Sequence, residues 1–307
     1  MGKRLKIVVI GLPLFAKRIV KDLSEFDKEN KYISLDTYYS KADKVKYYFH
    51  VRNADIVYSI NGTLTRSGAI DLALKLKKKV IMHWVGTDVL KSTTAYNANK
   101  YIKEYIDKCS HWCEVEWIKE ELKAISIDAQ IVNFASFDVL PKQFVAPKQF
   151  SVLTYIAQKR SDFYGLKEVV KLAEAYPQIP FNVMGCEYPE LETANLHFKG
   201  WVNNGSELIE NSTVCFRFTE HDGLSNFILE ALSKGRKILY NNPFPCVNYC
   251  KDYDALKREL DVIYTSFEKN NLEMNNEGVE FIKNDFNKSF ILSSLLAEFK
   301  NILKSKN

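Results

Sequence analysis

Short apolar runs alternate with longer amphipathic segments through the first half of the chain. The runs have the length and the β-branched content typical of buried strands, and the segments have the apolar spacing of helices. Since parallel strands need long crossovers, which helices supply, the alternation predicts a parallel sheet covered on both faces. The predicted elements are strands at 6–10, 32–35, 55–60, 79–84, 111–115 and 129–133, and helices at 15–26, 66–77, 93–109 and 119–125.

A segment with two prolines, residues 140–150, interrupts this alternation, which then restarts. The restart predicts strands at 151–156, 181–184, 196–198, 213–218 and 237–240, and helices at 165–176, 205–211 and 224–234. We therefore expect an α/β protein with two Rossmann-like, doubly wound domains, residues 1–145 and 146–307, that face a central cleft. A last helix, about 289–304, has a broad apolar stripe that can pack against either domain, including the N-terminal one.

Composition narrows the class of protein. The chain has 307 residues, of which 46% are hydrophobic and 26% are charged, so disorder and a small stapled scaffold are excluded. No apolar run approaches the length of a membrane-spanning helix, and six cysteines are too few for a disulfide framework. These features favour a cytoplasmic protein. The cysteine pairs are spaced more widely than in structural zinc sites, so no metal is expected.

Charge is distributed unevenly. Residues 1–146 carry 24 Lys and Arg against 17 Asp and Glu, whereas the remainder carries 19 against 21. The basic first half suggests an anionic partner, such as a phosphate-bearing substrate or the inner face of a membrane, to which the protein would bind peripherally. Solvated helix faces explain the lysines equally well. No nucleic-acid recognition motif accompanies them, so nucleic acid is not an expected partner.

The most informative segment is residues 216–240, where a strand, a polar turn and a helix follow one another. The first helical turn offers unpaired backbone N–H groups and the positive end of the helix dipole, which together bind phosphate without a metal. This turn contains Gly223, Leu224, Ser225 and Asn226. Glu230 lies one turn further along the same face, where a carboxylate can accept hydrogen bonds from vicinal hydroxyls of a ribose.

The same segment resembles the retaining GT-B glycosyltransferases of family 4. Their signature is an acid followed by Gly, and then a Glu on the helix that opens at the nucleotide-sugar diphosphate; Asp222 and Glu230 match the two acids. The family usually has Glu where this chain has Asp222. The resemblance implies the GT-B fold for the whole chain, with Asp222 and Glu230 in the catalytic site and His221 beside the donor.

The resemblance also implies cations for the diphosphate leaving group. Arg160 occupies the position of a family arginine, whereas Tyr164 occupies that of a family lysine, so Lys159 or Lys167 would supply any second cation. Solvent-facing loop cations are the plainer interpretation of these side chains. Trp201 and Val202 match the loop that holds the base of the donor, although Trp201 is equally consistent with a core residue.

In the first domain, a strand ending in Trp84 leads into a Gly-Thr-Asp turn that resembles the family loop facing the acceptor and the transferred sugar. The matching residues are Gly86, Thr87 and Asp88, with His83 displaced by two positions from the family histidine. An Asp beside a helix start is also a common capping residue. Gly11 follows the first strand, where the family has a glycine-rich loop.

The resemblance implies a hexosyltransferase that moves a sugar from a nucleotide-diphosphate donor to a glycan or a lipid-linked acceptor with retention, in cell-surface polysaccharide or glycolipid assembly. No cofactor is implied. Two other interpretations stay open. An NAD(P)-dependent oxidoreductase would need a dinucleotide fingerprint after the first strand, which is absent. A non-catalytic protein that binds nucleotides or glycans would tolerate Asp222 and Tyr164 at the family positions.

Overall fold

Two sheets of parallel strands organise the chain, each with six strands. The structure is a computed structural model that describes residues 4–138 and 145–304. It divides into two units, one formed by Met1–Ser136 with Lys288–Asn307 and the other by Phe137–Asn287. Of the segment expected to link two domains, residues 140–144 lie outside the described residues.

The first unit has the strand order β2-β1-β3-β4-β5-β6. Its central strands are buried along nearly their whole length, because helices cover both faces of the sheet. The strands are β1 Lys6–Gly11, β2 Lys31–Ser34, β3 Ile56–Ile60, β4 Lys79–Trp84, β5 Ser110–Cys113 and β6 Ala129–Ile131. The helices are α1 Pro13–Phe26, α2 Lys41–Arg52, α3 Gly68–Lys75, α4 Thr87–Asn97, α5 Lys103–Lys108 and α6 Glu116–Ala124.

The second unit has the strand order β12-β11-β10-β7-β8-β9. Every paired strand is parallel, as in the first unit. The strands are β7 Val152–Tyr155, β8 Phe181–Met184, β9 Leu196–Phe198, β10 Val214–Arg217, β11 Lys237–Tyr240 and β12 Asn248–Tyr249. The helices are α7 Leu166–Ala175, α8 Gly205–Glu210, α9 Asn226–Ser233, α10 Tyr253–Glu268 and α11 Asn276–Asp285.

The last helix, α12 Lys288–Lys304, returns to the first unit. Its apolar stripe contributes Leu292, Leu295 and Phe299 to the core that β1 and β3 line. Lys288 Nζ lies 2.8 Å from the carboxylate of Asp22 on α1, and this ion pair fixes the start of α12. Among residues 4–138 and 145–304, no helix combines the length and the hydrophobicity that crossing a bilayer requires.

The predicted fold class is confirmed: the protein is α/β, with two parallel, helix-flanked sheets. The single helix predicted over 93–109 is wrong. The structure has two shorter helices there, α4 and α5, because the chain turns at Asn99, which has a left-handed φ of 55°. Helices α2, α10 and α11 were not among the predicted elements.

Candidate functional site

A topological switch point lies in the second sheet, between β7 and β10. From β7 the chain proceeds to β8 and β9 on one side, and it then returns to β10 on the other side. The loops after β7 and β10 therefore diverge, and a crevice opens at the carboxyl ends of these strands, where open α/β sheets bind their ligands. The two loops are residues 156–165 and 218–225.

The two loops hold each other in a fixed geometry. The Glu220 backbone N–H donates to the Phe163 carbonyl oxygen at 3.0 Å. Gly165 ends the first loop with a φ of 84°, and a Cβ atom there would lie 2.3 Å from the Phe218 carbonyl oxygen. Only glycine fits this close approach without strain. Backbone contacts thus join the two loops close to the carboxyl ends of β7 and β10.

Arg217, the last residue of β10, is a buried cation at this crevice. Its guanidinium forms a two-pronged ion pair with Asp222: Nε donates to Oδ2, and Nη2 donates to Oδ1 at 3.0 Å. The Tyr164 ring centroid lies 5.4 Å from the guanidinium carbon, within cation–π range. Burial alone would lower the pKa of Arg217, but the charge and hydrogen bonds of Asp222 raise it instead. Arg217 therefore stays charged.

The carboxylate of Asp222 is occupied by protein donors. Besides Arg217, the Tyr240 hydroxyl donates to Asp222 Oδ2 at 3.2 Å. Burial and the nearby carboxylate raise the pKa of Tyr240, so its hydroxyl keeps the proton that it donates. The position of Asp222 in the turn before the helix also predicts that it holds hydroxyls of the sugar across the diphosphate, and this contact stays a prediction. The observed contacts give this carboxylate the additional role of orienting Arg217 and the turn before α9.

Sequence reasoning missed Arg217. The available signal was a charged residue at the end of an otherwise apolar strand, followed by Asp222 five positions later. Within the described residues, Arg217 Nη1 makes no hydrogen bond to protein. This nitrogen retains two N–H donors for an acceptor in the crevice.

The amino end of α9 lies beside this pair. Ser225 precedes the helix in an extended conformation, and its side chain makes no capping hydrogen bond. The first N–H groups of an α-helix have no acceptor within the helix, and here Ser225 does not supply one. Gly223 and Ser225 are buried, while Leu224 and Asn226 are partly exposed. The first turn of α9 therefore presents donors and the positive dipole end together.

Glu230 lies one helical turn beyond Asn226 and is 33% exposed. Its Oε1 atom is 3.4 Å from Nζ of the buried Lys234. That ammonium group also donates to the backbone oxygen and to the hydroxyl of Ser206 on α8. Lys234 thus fixes the Glu230 carboxylate while leaving part of it accessible to a ligand.

Three predicted cations lie in or next to the loop that follows β7, and all are exposed. The Arg160 guanidinium carbon lies 3.8 Å from the centroid of the Phe163 ring, which keeps the side chain over the loop that contacts Glu220. Lys159 adjoins it in the same short 3₁₀ turn. Lys167 points to Asp162 at 3.5 Å, so its charge is partly matched by a loop carboxylate.

The remaining predicted donor residues occupy the same edge of the sheet. Trp201 follows β9 and is 77% exposed, so the alternative interpretation as a core residue is wrong. Gly200 precedes it with a left-handed φ of 57°. Val202 and His221 are partly exposed in the loops after β9 and β10.

The first unit has its own switch point, between β1 and β3. Gly11 ends β1 with a φ of 105°, and a Cβ atom there would lie 2.0 Å from the Ile60 oxygen. Asn61 follows β3 with a φ of 122°, which is strained for a residue with a side chain. This strained backbone places Asn61 Nδ2 at 3.3 Å from the Tyr38 hydroxyl. Sequence reasoning did not select Asn61.

His83 and Asp88 are buried in the first unit. His83 Nδ1 lies 2.7 Å from the Tyr58 hydroxyl, and burial lowers the pKa of this histidine to about 3. The geometry therefore does not place His83 where a sugar could touch it. Asp88 accepts hydrogen bonds from the backbone N–H groups of Gly62 at 2.7 Å and Gly86 at 2.8 Å. Burial raises the pKa of Asp88 to about 6, although these N–H groups oppose the rise.

These contacts give Asp88 a positioning role. It draws together the loops after β3 and β4, and it thereby sets Gly86, with a φ of 135°, at the start of α4. Thr87 is the first residue of α4 and is partly exposed. Among residues 4–138 and 145–304, no group of three or more His, Cys, Asp or Glu side chains could hold a metal ion.

Solved structures share this architecture. The chain matches sucrose-phosphate synthase from Thermosynechococcus elongatus with a TM-score of 0.72 and 10% identity, over 99% of this chain and 100% of that one. It matches Anabaena HepE, solved in complex with UDP and glucose, with a TM-score of 0.71 and 12% identity, over 97% and 100%. The pneumococcal O-GlcNAc transferase GtfA, in complex with UDP and GlcNAc, matches with a TM-score of 0.57 and 14% identity.

The GtfA match covers 81% of this chain but only 57% of GtfA. No protein family and no curated protein matches the sequence. The structural matches assign the GT-B fold, the fold of the glycosyltransferases among these neighbours.

Proposed function

We propose that the protein is a nucleotide-sugar-dependent glycosyltransferase, with its donor site at the switch point of the second sheet. One observation carries the proposal: Arg217, at the carboxyl end of β10, is held in an ion pair by Asp222 of the turn that leads into the uncapped amino end of α9. Backbone N–H groups, a helix dipole and a guanidinium are the groups that bind a diphosphate. Two structural neighbours were solved in complex with UDP, which supports a nucleoside diphosphate as the class of ligand.

The groups around this centre suggest roles for the rest of the donor. Glu230, fixed by Lys234, would accept hydrogen bonds from the ribose hydroxyls. The exposed Trp201 would lie against the base. Arg160 and Lys159 would approach the diphosphate from the loop after β7, with Lys167 nearby, and His221 would lie beside the transferred sugar.

We propose transfer with retention of anomeric configuration. The acceptor hydroxyl would attack from the side of the departing diphosphate, whose oxygen would take the proton. The protein would act mainly by stabilising the negative charge that grows on the leaving group, using donors that are already in position. Arg217 and Arg160 would supply the positive charge for this task.

The acceptor assignments belong to the first unit. We propose that the loops at Gly11 and at Gly86–Thr87 contact a glycan or lipid-linked acceptor, with Asp88 holding the second loop in place. The reaction would take place in the cytoplasm, at the inner face of a membrane, and would extend a cell-surface polysaccharide or a glycolipid.

One observation favours a second candidate, a non-catalytic protein that binds nucleotides or glycans. Asp222 is engaged by Arg217 and Tyr240 rather than left open to a sugar. A binding protein would keep the diphosphate site but would neither transfer nor hydrolyse the sugar.

Ligand-induced thermal stabilisation with UDP-, GDP-, ADP- and TDP-sugars tests the site. We expect at least one donor to raise the melting temperature of the wild-type protein. Arg160→Ala should lower the affinity for that donor by about 10-fold, since a hydrogen bond to a charged group contributes about 1.5 kcal/mol or more. Glu230→Ala should abolish the stabilisation, and Glu230→Gln, which leaves the shape intact, should reduce it strongly.

Arg258→Ala is the matched control, because Arg258 is an exposed arginine of the same unit on α10. Unchanged donor response in the Arg160 and Glu230 variants would refute the site. Product analysis by NMR would then separate the two candidates: a transferase releases the nucleoside diphosphate and forms an α-linked product from an α-linked donor, whereas a binding protein leaves the donor intact.

A further inference from the structure

Helix α2 carries an exposed apolar stripe that the proposed donor site does not use. Val45, Tyr48 and Phe49 are 61%, 45% and 62% exposed. Their spacing places them along one side of the helix. Tyr47 and Val51 are buried and attach the opposite side of α2 to the first unit.

Positive charge surrounds this stripe. Lys41, Lys44 and Arg52 are exposed and share its side of the helix, because they lie at helical spacings from Val45 and Tyr48. The Arg52 guanidinium carbon lies 3.8 Å from the centroid of the Tyr48 ring, which keeps this cation beside the apolar side chains.

Within α2 the cations outnumber the carboxylates. The single acidic residue of α2 is Asp43. It is partly exposed, accepts a hydrogen bond from the Asp36 N–H at 3.1 Å and pairs with Lys46 at 3.3 Å. The outer side of α2 therefore presents apolar groups and cations together.

The carboxyl end of α2 gathers further cations. Lys6 Nζ donates to the His50 carbonyl oxygen at 2.9 Å, and Lys78 Nζ donates to the Arg52 carbonyl oxygen at 2.6 Å. Burial, together with the charges of Lys31 and Lys78, lowers the pKa of Lys6, whereas the charge of Asp55 opposes the shift. Two further ammonium groups thus lie at this end of the helix, with the carboxylate of Asp55 close to Lys6.

We infer that this side of α2 docks on the headgroup layer of an anionic lipid bilayer. The α2 surface consists of Lys41, Lys44, Val45, Tyr48, Phe49 and Arg52. Its apolar side chains would enter the boundary between headgroups and acyl chains, while its cations would meet lipid phosphates. Lysine is depleted from the cores of protein interfaces, which disfavours a folded protein partner. Duplex nucleic acid would leave Val45 and Phe49 in water.

The inference rests on the proposed function only for the reason why the protein binds a membrane: a lipid-linked acceptor would be located there. The binding itself can be measured without any sugar nucleotide. A failure of the donor site and a failure of the α2 surface are therefore distinguishable.

Flotation with lipid vesicles tests the surface. We expect the wild-type protein to bind vesicles of equal parts phosphatidylglycerol and phosphatidylcholine, to lose binding at high salt, and not to bind pure phosphatidylcholine. Lys41→Gln with Lys44→Gln should lower the partition coefficient by about 5-fold for each lysine. Val45→Ser with Phe49→Ser should lower it by about 10-fold or more.

Val262→Ser and Lys257→Gln on α10 are the matched controls, because Val262 is also 61% exposed and Lys257 is exposed. Both should bind like the wild type. Circular dichroism and donor-induced thermal stabilisation should be unchanged in the α2 variants, which shows that fold and donor site are intact.

Three results would overturn the inference. The first is equal binding of the wild type to neutral and anionic vesicles, or α2 variants that bind as the wild type does. The second is a wild-type protein that forms oligomers in solution and α2 variants that are monomeric, which would show that a second copy of the chain covers the α2 surface. The third is tight binding of duplex DNA that the α2 variants abolish, without binding to vesicles.

Discussion

Buried charges in the two units differ in how well they are compensated. Arg217 and Asp222 neutralise each other through two hydrogen bonds, so neither charge is isolated. Glu114 in the first unit accepts from the N–H groups of Phe134 and Ala135 only at 3.3 and 3.4 Å. Since burial outweighs these long hydrogen bonds, the pKa of Glu114 rises to about 7.

This difference predicts a pH dependence of stability in the first unit. A pKa near 7 in the folded state, against about 4.5 unfolded, means that the folded protein binds more protons between these values. The stabilisation is complete below about pH 4.5 and is lost as the pH rises through about 7. The free energy of unfolding of the wild type should therefore fall by on the order of 3 kcal/mol between pH 5 and pH 8, and Glu114→Gln should abolish this fall. Denaturant titrations at both pH values measure this free energy. The same change with pH in the wild type and in Glu114→Gln would contradict the raised pKa of Glu114.

At the scale of residues, local chemistry was predictable from the sequence and long-range partners were not. The turn at Gly223 and Ser225 before α9 follows from neighbouring residues alone. Arg217 is held in its position by Tyr164 and Asp222, which the fold brings into contact with it. The burial of His83 likewise depends on distant rings, such as that of Phe134 at 4.9 Å.

The elements that position the donor site meet through backbone contacts rather than through side chains. Gly165 immediately precedes α7 with a left-handed φ of 84°, and its α-carbon lies close to the carbonyl oxygen of Phe218, the residue after β10. A side chain there would separate the two loops of the crevice. The arrangement of β7, α7 and β10 therefore depends on one missing Cβ atom.

Gly165→Ala should lower both the stability of the second unit and the affinity for the donor. Strain at positive φ contributes roughly 1 kcal/mol, and the clash with backbone adds to it. Gly68→Ala is the matched control, because Gly68 also lies at a helix start, as the first residue of α3, but has no heavy atom within 4 Å of the added Cβ. The control should be neutral or slightly stabilising. Comparable melting temperatures for the two variants would show that the close approach is unimportant.

Helices and strands were predictable where the local pattern of apolar and polar residues is strong. Strands β4, β8, β9 and β11 have the predicted bounds, because each is a short apolar run between polar or turn residues. Helix α2 escaped prediction because Val45, Tyr48 and Phe49 are exposed on it, so its apolar positions do not follow the period of a core-facing helix. These three residues are the apolar part of the α2 surface.

At the scale of the whole molecule, the chain leaves the first unit, forms the second and returns. Helix α12 follows α11 directly in sequence, yet its apolar side chains complete the core of the first unit. Sequence periodicity indicated the apolar stripe of this helix but left its destination open. The packing partners of the stripe, β1 and β3, are distant in sequence. Local sequence patterns therefore do not determine which unit α12 packs against.

The return of α12 makes the first unit dependent on the last residues of the described chain. Phe299 is fully buried, and its ring centroid lies 5.4 Å from that of Tyr58 and 5.7 Å from that of Trp112. Phe299→Ala should cost the first unit about 3–5 kcal/mol, because it removes a ring from a packed core. Tryptophan fluorescence follows this unit selectively, since Trp84 and Trp112 are buried there while Trp201 of the second unit is exposed.

The second unit has its own core, so donor-induced stabilisation should survive in this variant at temperatures where the tryptophan signal has already changed. Phe290→Ala, at an exposed position of the same helix, should leave the fluorescence transition within about 1 kcal/mol of the wild type. If Phe299→Ala shifted the donor-dependent transition and left the tryptophan transition in place, α12 would belong to the second unit, and the division of the chain would have to be redrawn.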